Sequence, residues 1–200
     1  MQPHDRTAGP PYAGKIVTVF FGMTASGKST LGMAWADRCQ AAYYNTDRVR
    51  KELAGLQVAD KRPDEVGQGI YSAAFTEKTY LAMLDHVRAD FARGQRQVVL
   101  DGSYSRREDR DRVRSVADEL GARCVFFFCT CPEDEVRRRL EIRSRDPQAV
   151  SDGRWEIYLH QRQTFEMPDA ANENDYIRLN TDQPIEAMLT WLSAQPCFQG

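Results

Sequence analysis

The sequence predicts an α/β protein with one parallel sheet of five strands, covered by helices on both faces. Short apolar segments alternate five times with longer segments of helical periodicity. The segments between strands are long enough to hold crossover helices, which parallel strands require. Cys124–Cys129 (CVFFFC) is apolar without alternation, as in a strand that is buried on both faces.

The first half of the chain contains three predicted strands and three predicted helices. Ile16–Phe21 is a β-branched and aromatic run that ends at Gly22. The third helix stops at Gly94, and Pro63 breaks the polar loop before it. In chain order the predictions are strand Ile16–Phe21, helix Ser29–Cys39, strand Ala42–Tyr44, helix Asp47–Ala54, loop Gly55–Gly69, helix Ile70–Ala92 and strand Val98–Leu100.

The second half contains two further strands and four helices. Gly121 ends the first of these helices, and Pro132 stands at the start of the next. The arginines of Arg106–Arg114 alternate with acidic residues, which predicts a solvated face with many ion pairs. In chain order the predictions are helix Arg106–Leu120, strand Cys124–Cys129, helix Glu133–Arg145, helix Asp152–Glu166, strand Tyr176–Leu179 and helix Ile185–Ser193.

The composition is that of a globular protein. The chain has 200 residues, of which 42% are hydrophobic and 28% charged. These values exclude a disordered, collagen-like or coiled-coil chain. Residues 1–14 carry three prolines and two glycines, and we expect a flexible arm there. Residues 15–200 are expected to form one domain, in which the helices of residues 133–166 form a lid.

The net charge and the cysteine pattern indicate which partners and which cellular compartment to expect. The net charge of −2 gives no overall field that would attract nucleic acid. Five irregularly spaced cysteines and three scattered histidines form no zinc pattern. No apolar stretch is long enough to span a membrane, and the N-terminus lacks the apolar segment of a signal peptide. We therefore expect a cytoplasmic protein without a membrane partner; the oligomeric state is not predictable.

A phosphate-binding motif follows the first strand. The segment from Gly22 to Ser29 (GMTASGKS) matches GxxxxGK[ST], between a predicted strand and a predicted helix. The glycines allow successive backbone N–H groups to face phosphate oxygens, and Lys28 reaches the β- and γ-phosphates. Ser29 offers a hydroxyl to Mg²⁺. The motif predicts ATP and Mg²⁺ as cofactors, with the nucleotide bound by Gly22, Thr24, Ala25, Ser26, Gly27, Lys28, Ser29 and Thr30.

Two carboxylates follow the second and third strands. Strand ends on this side of a parallel sheet face the ligand crevice, so Asp47 can serve as a general base for an attacking hydroxyl. Arg50, three residues later, lies on the same helix face and can hold an anionic group. The alternative is that Asp47 or Thr46 caps the helix. Asp101, at the end of the third strand, is predicted to bind Mg²⁺ with Ser29; the alternative is a turn residue before Gly102.

An arginine-rich helix follows the fourth strand. Arg139 and Arg143 are four residues apart and therefore share a face. Arginines on a lid stabilise the charge of a transferring phosphoryl group, and we expect Arg143 to do so. Arg138 is expected to be a solvated surface residue. Thr181 and Asp182, after the last strand, are candidates for contacts to the nucleotide base.

Taken together, these motifs resemble those of small P-loop kinases, over about residues 16–193. The chain is similar to the AAA/zeta-toxin-like kinase module that bacteria fuse to aminoglycoside-phosphotransferase-like domains, and to the kinase module of 5′-hydroxyl polynucleotide kinases. The latter resemblance implies a P-loop NTPase fold, Asp47 as base and Arg50 on an acceptor phosphate, through the pattern Asp-x-x-Arg. It also implies that Arg139 and Arg143 belong to the lid. Where that family has Asp-Ala-Thr-Asn, this chain has Asp-Gly-Ser-Tyr from Asp101 onward.

Three functions are compatible with these residues. The first is an ATP-dependent kinase that transfers the γ-phosphoryl group to a hydroxyl of a small-molecule acceptor. The second is a polynucleotide 5′-hydroxyl kinase, for which a nucleic-acid end would be the partner. The third is a non-catalytic ATP-binding regulatory module. Asp47 argues against the third, and the acids interleaved with the arginine-rich helices argue against the second.

Overall fold

The computed structural model describes residues 14–57, 68–145, 154–173 and 175–198. The strands are β1 (Ile16–Phe21), β2 (Ala42–Asn45), β3 (Gln97–Gly102), β4 (Arg123–Thr130) and β5 (Tyr176–Asn180). The α-helices are α1 (Lys28–Cys39), α2 (Thr46–Leu53), α3 (Ala73–Ala92), α4 (Arg107–Glu119), α5 (Glu133–Ser144), α6 (Trp155–Thr164) and α7 (Ile185–Ser193). Short 3₁₀ turns cover Gly69–Tyr71 and Pro196–Phe198. The predicted flexible arm lies outside the described residues except for Gly14, as do most of the predicted loop Gly55–Gly69 and Asp152.

The five strands form one parallel sheet in the order β2-β3-β1-β4-β5, as the sequence predicts. The register brings the carboxyl ends of β1, β2 and β3 together. Asn45 pairs with Asp101, and Phe21, directly before the phosphate-binding motif, pairs with Gly102. Ligands bind at this edge of open parallel sheets, so the fold places the three predicted segments around one crevice.

Two hydrophobic cores enclose the sheet. On one face, Val17, Val19 and Phe21 of β1 belong to a cluster with apolar side chains of α3 and α4. On the other face, Ile16 and Phe20 belong to a cluster with α1 and α7. Successive side chains of β1 pack on opposite faces of the sheet, and all six are buried, which explains why the sequence of this strand is largely apolar. Both faces are covered, as predicted for this fold class.

The helix predicted over Ile70–Ala92 begins later than expected. Ser72 is extended (φ −63°, ψ 156°), and its hydroxyl accepts a hydrogen bond from the Phe75 N–H at 3.4 Å. Ser72 is thus the N-cap of α3, and Gly69–Tyr71 forms a separate 3₁₀ turn. A serine that bonds its own downstream backbone competes with helix continuation. The apolar periodicity, on which the predicted start at Ile70 is based, does not reveal this N-cap.

The expectation of a solvated surface over Arg106–Arg114 is wrong at Arg110. Its side chain is 1% exposed and forms a bidentate ion pair with Glu173, at 2.6 and 2.7 Å. The same guanidinium donates to the Tyr104 carbonyl at 2.9 Å. Tyr104 itself has a left-handed backbone (φ 41°), a conformation that is costly for a residue with a side chain. The buried pair therefore holds the strained turn between β3 and α4.

The end of α6 is fixed to the body of the domain. Phe165 is buried and its ring lies 5.7 Å from that of Phe128 in β4. Glu166 accepts a hydrogen bond from the Arg107 N–H at 2.6 Å, and its own N–H donates to the Ser105 carbonyl. Of the segment predicted as a lid, this end is thus anchored to α4 and the sheet. Across the described ranges, no helix combines the length and the apolar character needed to cross a membrane.

Candidate active site

The segment Gly22–Gly27 forms a loop whose backbone requires glycine at two positions. Gly22 (φ 142°) and Gly27 (φ 82°) lie in regions that other residues avoid. A β-carbon on Gly22 would lie 2.4 Å from the Cys129 carbonyl oxygen, and one on Gly27 would lie 2.8 Å from the Thr181 hydroxyl. Ala25 (φ 58°) is also left-handed. The loop is therefore tightly wound and closely surrounded by the ends of β4 and β5.

Three side chains from distant segments fix this loop, and none of these contacts follows from the motif itself. The Thr181 hydroxyl donates to the Ser26 carbonyl at 2.6 Å. The Gln161 side chain on α6 accepts from the Thr24 N–H at 2.7 Å. Arg139 donates to the carbonyls of Ala25 and Thr181, at 3.3 and 2.9 Å. The Thr181 hydroxyl is thus engaged with the loop, and its contact to a nucleotide base stays a prediction.

A narrow cavity of about 30 Å³ lies where the loop, β2 and α5 meet. Its lining is Ala25, Gly27, Lys28, Ser29, Thr30, Asn45, Thr46, Asp47 and Arg143. Five of the eight predicted nucleotide-binding residues line it. The other three, Gly22, Thr24 and Ser26, do not: the Gly22 N–H donates to the Ser103 carbonyl, and the Ser26 N–H to the Met23 carbonyl. These three shape the loop around the cavity.

The cationic end of the cavity is provided by Lys28 at the start of α1. Its ammonium donates to the Met23 carbonyl at 3.2 Å, which draws the side chain back over the loop. Ser29, the next residue, lines the same cavity. Since a helix N-terminus and a lysine both attract anions, this end of the cavity suits phosphate oxygens.

Asn45, and not Asp47 or Thr46, is the N-cap of α2. Its side-chain oxygen accepts from the N–H groups of Asp47 and Arg48, at 3.0 and 3.1 Å. The alternative interpretation of Asp47 as a capping residue is therefore wrong. The sequence carried a signal for the cap, because asparagine is a preferred capping residue directly before a helix. The Asp47 side chain lines the cavity and has no role in capping.

Arg50 holds the Asp47 carboxylate. Its guanidinium donates to Oδ1 of Asp47 at 2.9 Å and lies 5.0 Å from the ring centre of Tyr71. The Arg50 side chain is only 9% exposed and does not line the cavity. Among the described residues, Oδ2 of Asp47 accepts no hydrogen bond. The pair thus presents one carboxylate oxygen that can receive a proton.

Asp101 lies beneath the cavity wall and is fully buried. Its Oδ2 accepts from the Tyr43 hydroxyl at 2.6 Å and from the Asn45 amide at 2.5 Å, and both donors line the clefts above it. Its Oδ1 is buried and has no partner among the described residues. A buried carboxylate oxygen without a hydrogen bond calls for a partner such as a water or a cation. Across those residues, no cluster of three or more acidic, histidine or cysteine side chains could hold a metal by itself.

The two arginines predicted to act together differ in their surroundings. Arg139 is engaged with Glu135, Ala25, Cys131 and Thr181, and so ties α5 to the loop. Arg143 lines the inner cavity and, within the described ranges, forms no hydrogen bond or ion pair. Partial burial lowers the pKa of the Arg143 guanidinium, and the Asp47 carboxylate acts against that effect. Arg143 is therefore the cation left available at the cavity.

A wider cleft of about 530 Å³ continues outward from the inner cavity. Apolar side chains enter its wall from three helices: Met33, Ile142, Ile185 and Met188. Met33 and Ile142 are 45% and 56% exposed, so apolar surface is open to solvent here. Gln183 also lines this cleft, whereas the predicted base contact Asp182 does not. The four apolar residues form an apolar slot beside the phosphate loop, in a cleft that charged residues such as Arg48 and Arg138 also line.

We expect Arg143→Ala to lower kcat of a phosphoryl transfer by about 10²–10³, the range for removing one preorganised donor. Nucleotide affinity should change much less, because the effect is on transition-state charge. Arg138→Ala is the comparison variant, because Arg138 is 62% exposed, is paired with Glu135, and lines the wider cleft but not the inner cavity. Steady-state kinetics and nucleotide titrations of both variants test this expectation. Equal losses at both positions would mean that the α5 arginines act only as a general electrostatic surface.

Three relatives in Mycobacterium share part of the sequence. Uncharacterized proteins of Mycobacterium tuberculosis and Mycobacterium bovis are 29% identical over 123 residues. The matched part is 62% of this chain and 24% of each relative, so the chain spans about a quarter of the length of the curated relatives it matches.

Solved structures of kinases have the same fold. A sugar kinase from Janibacter sp. HTCC2649 has a TM-score of 0.61 at 20% identity, covering 94% of this chain and 99% of that one. A gluconokinase from Sinorhizobium meliloti 1021 has a TM-score of 0.58 at 20% identity, covering 96% and 93%. The APS kinase CysC of Mycobacterium tuberculosis, in complex with AMPPNP and APS, has a TM-score of 0.60 at 22% identity, covering 91% and 96%.

The family comparison covers the first four strands and the loop. Residues 17–168 of the 200 match the AAA_33 family, described as an AAA domain. The matched range contains the phosphate loop, Asp47, Asp101, Arg139 and Arg143. With the parallel sheet, the loop and this match in agreement, the chain has the P-loop NTPase fold of small P-loop kinases and belongs to the AAA_33 family.

Proposed function

We propose that this protein is an ATP-dependent kinase that transfers the γ-phosphoryl group to a hydroxyl of a small-molecule acceptor. One observation carries the proposal: Lys28, Ser29, Asp47 and Arg143 line the same cavity of about 30 Å³. A phosphate-binding lysine, a base and an arginine with no ion pair to the described residues lie together here, and these are groups that in-line phosphoryl transfer uses. A module that only bound nucleotide would have no need of the base.

Asp47 acts on the acceptor. Its free Oδ2 receives the proton of the attacking hydroxyl, while Arg50 keeps the other oxygen in place. The acceptor oxygen then forms a bond to the γ-phosphorus, and the bond between that phosphorus and the β,γ-bridging oxygen breaks. The electron pair stays with the departing ADP, so the products are the phosphorylated acceptor, ADP and a protonated Asp47.

Lys28 and Arg143 act on the phosphoryl group from two sides. Lys28 neutralises the charge of the β- and γ-phosphate oxygens, and Arg143 stabilises the charge on the γ-phosphoryl group in the transition state. Ser29, and Asp101 through its unpartnered Oδ1, are the residues that would hold Mg²⁺, which would offset the charge of the phosphates. The apolar slot lined by Met33 suits the nucleotide base.

The proposal is tested by incubating the protein with labelled ATP and Mg²⁺ against a panel of acceptors. The panel contains sugars, nucleosides, aminoglycosides and 5′-hydroxyl oligonucleotides, with an arm lacking any acceptor. We expect transfer to a member of the small-molecule set, and none to the oligonucleotides. Acidic residues accompany the arginines of α4 and α5, which disfavours binding several nucleic-acid phosphates.

Two outcomes would replace the proposal. Efficient labelling of oligonucleotides, weakening steeply between low and physiological salt, would establish the polynucleotide kinase, which the Asp-x-x-Arg pattern at Asp47 and Arg50 favours. ATP binding without transfer to any acceptor class would favour the regulatory module.

A further inference from the structure

Asn45 uses both ends of its side-chain amide, one toward the start of α2 and the other toward the end of β3. Its oxygen caps α2 by accepting from the N–H groups of Asp47 and Arg48. Its nitrogen donates to Oδ2 of Asp101 at 2.5 Å. Asn45 is 8% exposed and Asp101 is fully buried, so water does not compete strongly for these bonds.

The orientation of this amide is fixed from both sides. Turning it over would place its oxygen against the Asp101 carboxylate and its N–H groups against the helix N-terminus, and both contacts would be repulsive. The strand register supports the arrangement, because Asn45 and Asp101 are paired neighbours at the ends of β2 and β3. The contact is therefore built into the sheet and does not depend on a loop conformation.

Tyr43 contributes a second donor to the same carboxylate oxygen. Its hydroxyl lies 2.6 Å from Oδ2 of Asp101. Two donors on Oδ2 leave Oδ1 as the one oxygen of Asp101 without a partner among the described residues.

We propose that Asn45 is a positioning residue that couples the magnesium carboxylate Asp101 to the base Asp47. Through its nitrogen it orients Asp101 so that Oδ1 is left without a hydrogen bond from the described residues and can bind the cation's shell. Through its oxygen it sets the first turn of α2 and with it the Asp47 carboxylate. This inference rests on the proposed function, to which it adds the residue that links the metal side of the site to the acceptor side.

The test distinguishes the role of the Asn45 amide nitrogen from that of its oxygen. Asn45→Ser keeps a capping oxygen but has no amide donor, whereas Asn45→Ala has neither. ATP affinity is measured by calorimetry over a range of Mg²⁺ concentrations, and kcat is measured at saturating Mg²⁺. We expect both variants to lose apparent Mg²⁺ affinity by about 10–100-fold, as for other residues that orient a metal ligand. At saturating Mg²⁺, kcat should be about tenfold lower in Asn45→Ala than in Asn45→Ser, because only alanine frees the first turn of α2.

A second pair of variants covers the possibility that substitutions at Asn45 impair folding. Tyr43→Phe removes the other donor to Oδ2 without touching α2, and should weaken Mg²⁺ affinity in the same direction. Its control is Tyr44→Phe, because the Tyr44 hydroxyl donates to Asp90, away from the site. Wild-type Mg²⁺ dependence in both Asn45→Ser and Tyr43→Phe would overturn the inference, as would equal kcat in Asn45→Ser and Asn45→Ala. If ATP binding by the wild-type protein does not depend on Mg²⁺, the proposed function fails as well.

Discussion

Lys28→Ala is expected to abolish phosphoryl transfer and to leave the melting temperature unchanged. Lys28 lines the inner cavity and, within the described residues, its ammonium contacts only the Met23 carbonyl. It is absent from the hydrophobic clusters that enclose the sheet. Losing one preorganised donor costs about 10²–10³ in rate, and the loss of a full positive charge beside the phosphates adds to this.

Radiolabel transfer from ATP, with thermal unfolding in parallel, checks this result. Lys78→Ala is the matched control, because Lys78 is an exposed lysine of α3 whose ammonium lies 5.7 Å from the Phe75 ring centre. It should behave as the wild-type protein in both measurements. Wild-type turnover in Lys28→Ala would show that the loop does not bind the transferred phosphate.

Asp47→Asn should lower kcat by about 10²–10⁴, the usual contribution of a general base. The substitution preserves shape, and the amide oxygen can still accept the Arg50 hydrogen bond. Since Asn45 caps α2, Asp47→Asn removes no cap. Nucleotide affinity should therefore stay close to its wild-type value, because the carboxylate addresses the acceptor.

A matched control exists on α3. Asp85 pairs with Arg88 at the same three-residue spacing as Asp47 with Arg50, but its side chain is 77% exposed. Asp85→Asn should leave kcat and stability unchanged, since exposed ion pairs contribute about 0–1 kcal/mol. An Asp47→Asn variant with full kcat and a lower melting temperature would assign Asp47 a structural role.

The sheet was predictable because each strand is a short apolar run next to a longer helical segment. All five predicted strands are present, and β1 has the predicted bounds. The differences lie where polar side chains override periodicity. Ser72 is the N-cap of α3, so this helix begins later than the periodicity predicts. The ion pair with Glu173 buries Arg110, which the charge pattern places at the surface. Glu173 lies 63 residues from Arg110 in sequence, so no local pattern predicts the pair.

The candidate site was predictable where a motif carries its chemistry in consecutive residues. The loop of Lys28 and Ser29 is of this kind, and Asp47 follows from its position after a strand. The side chains that contact these residues could not be predicted, because they are distant in sequence. Gln161 contacts the loop across 137 positions, and Thr181 does so across 155. The distinction between Arg139 and Arg143 likewise depends on which guanidinium the fold has already engaged.

Arg139 has a further consequence, because it joins α5 to the backbone of the phosphate loop. A helix that bonds directly to the Ala25 carbonyl cannot shift without altering the loop that surrounds the phosphates. The position of α5 and the occupancy of the nucleotide cleft are therefore thermodynamically linked. Such linkage is reciprocal: a ligand that favours one position of α5 changes nucleotide affinity by the same factor by which nucleotide changes the affinity for that ligand. We therefore expect a ligand that binds the outer surface of α5 and shifts this helix to change nucleotide affinity.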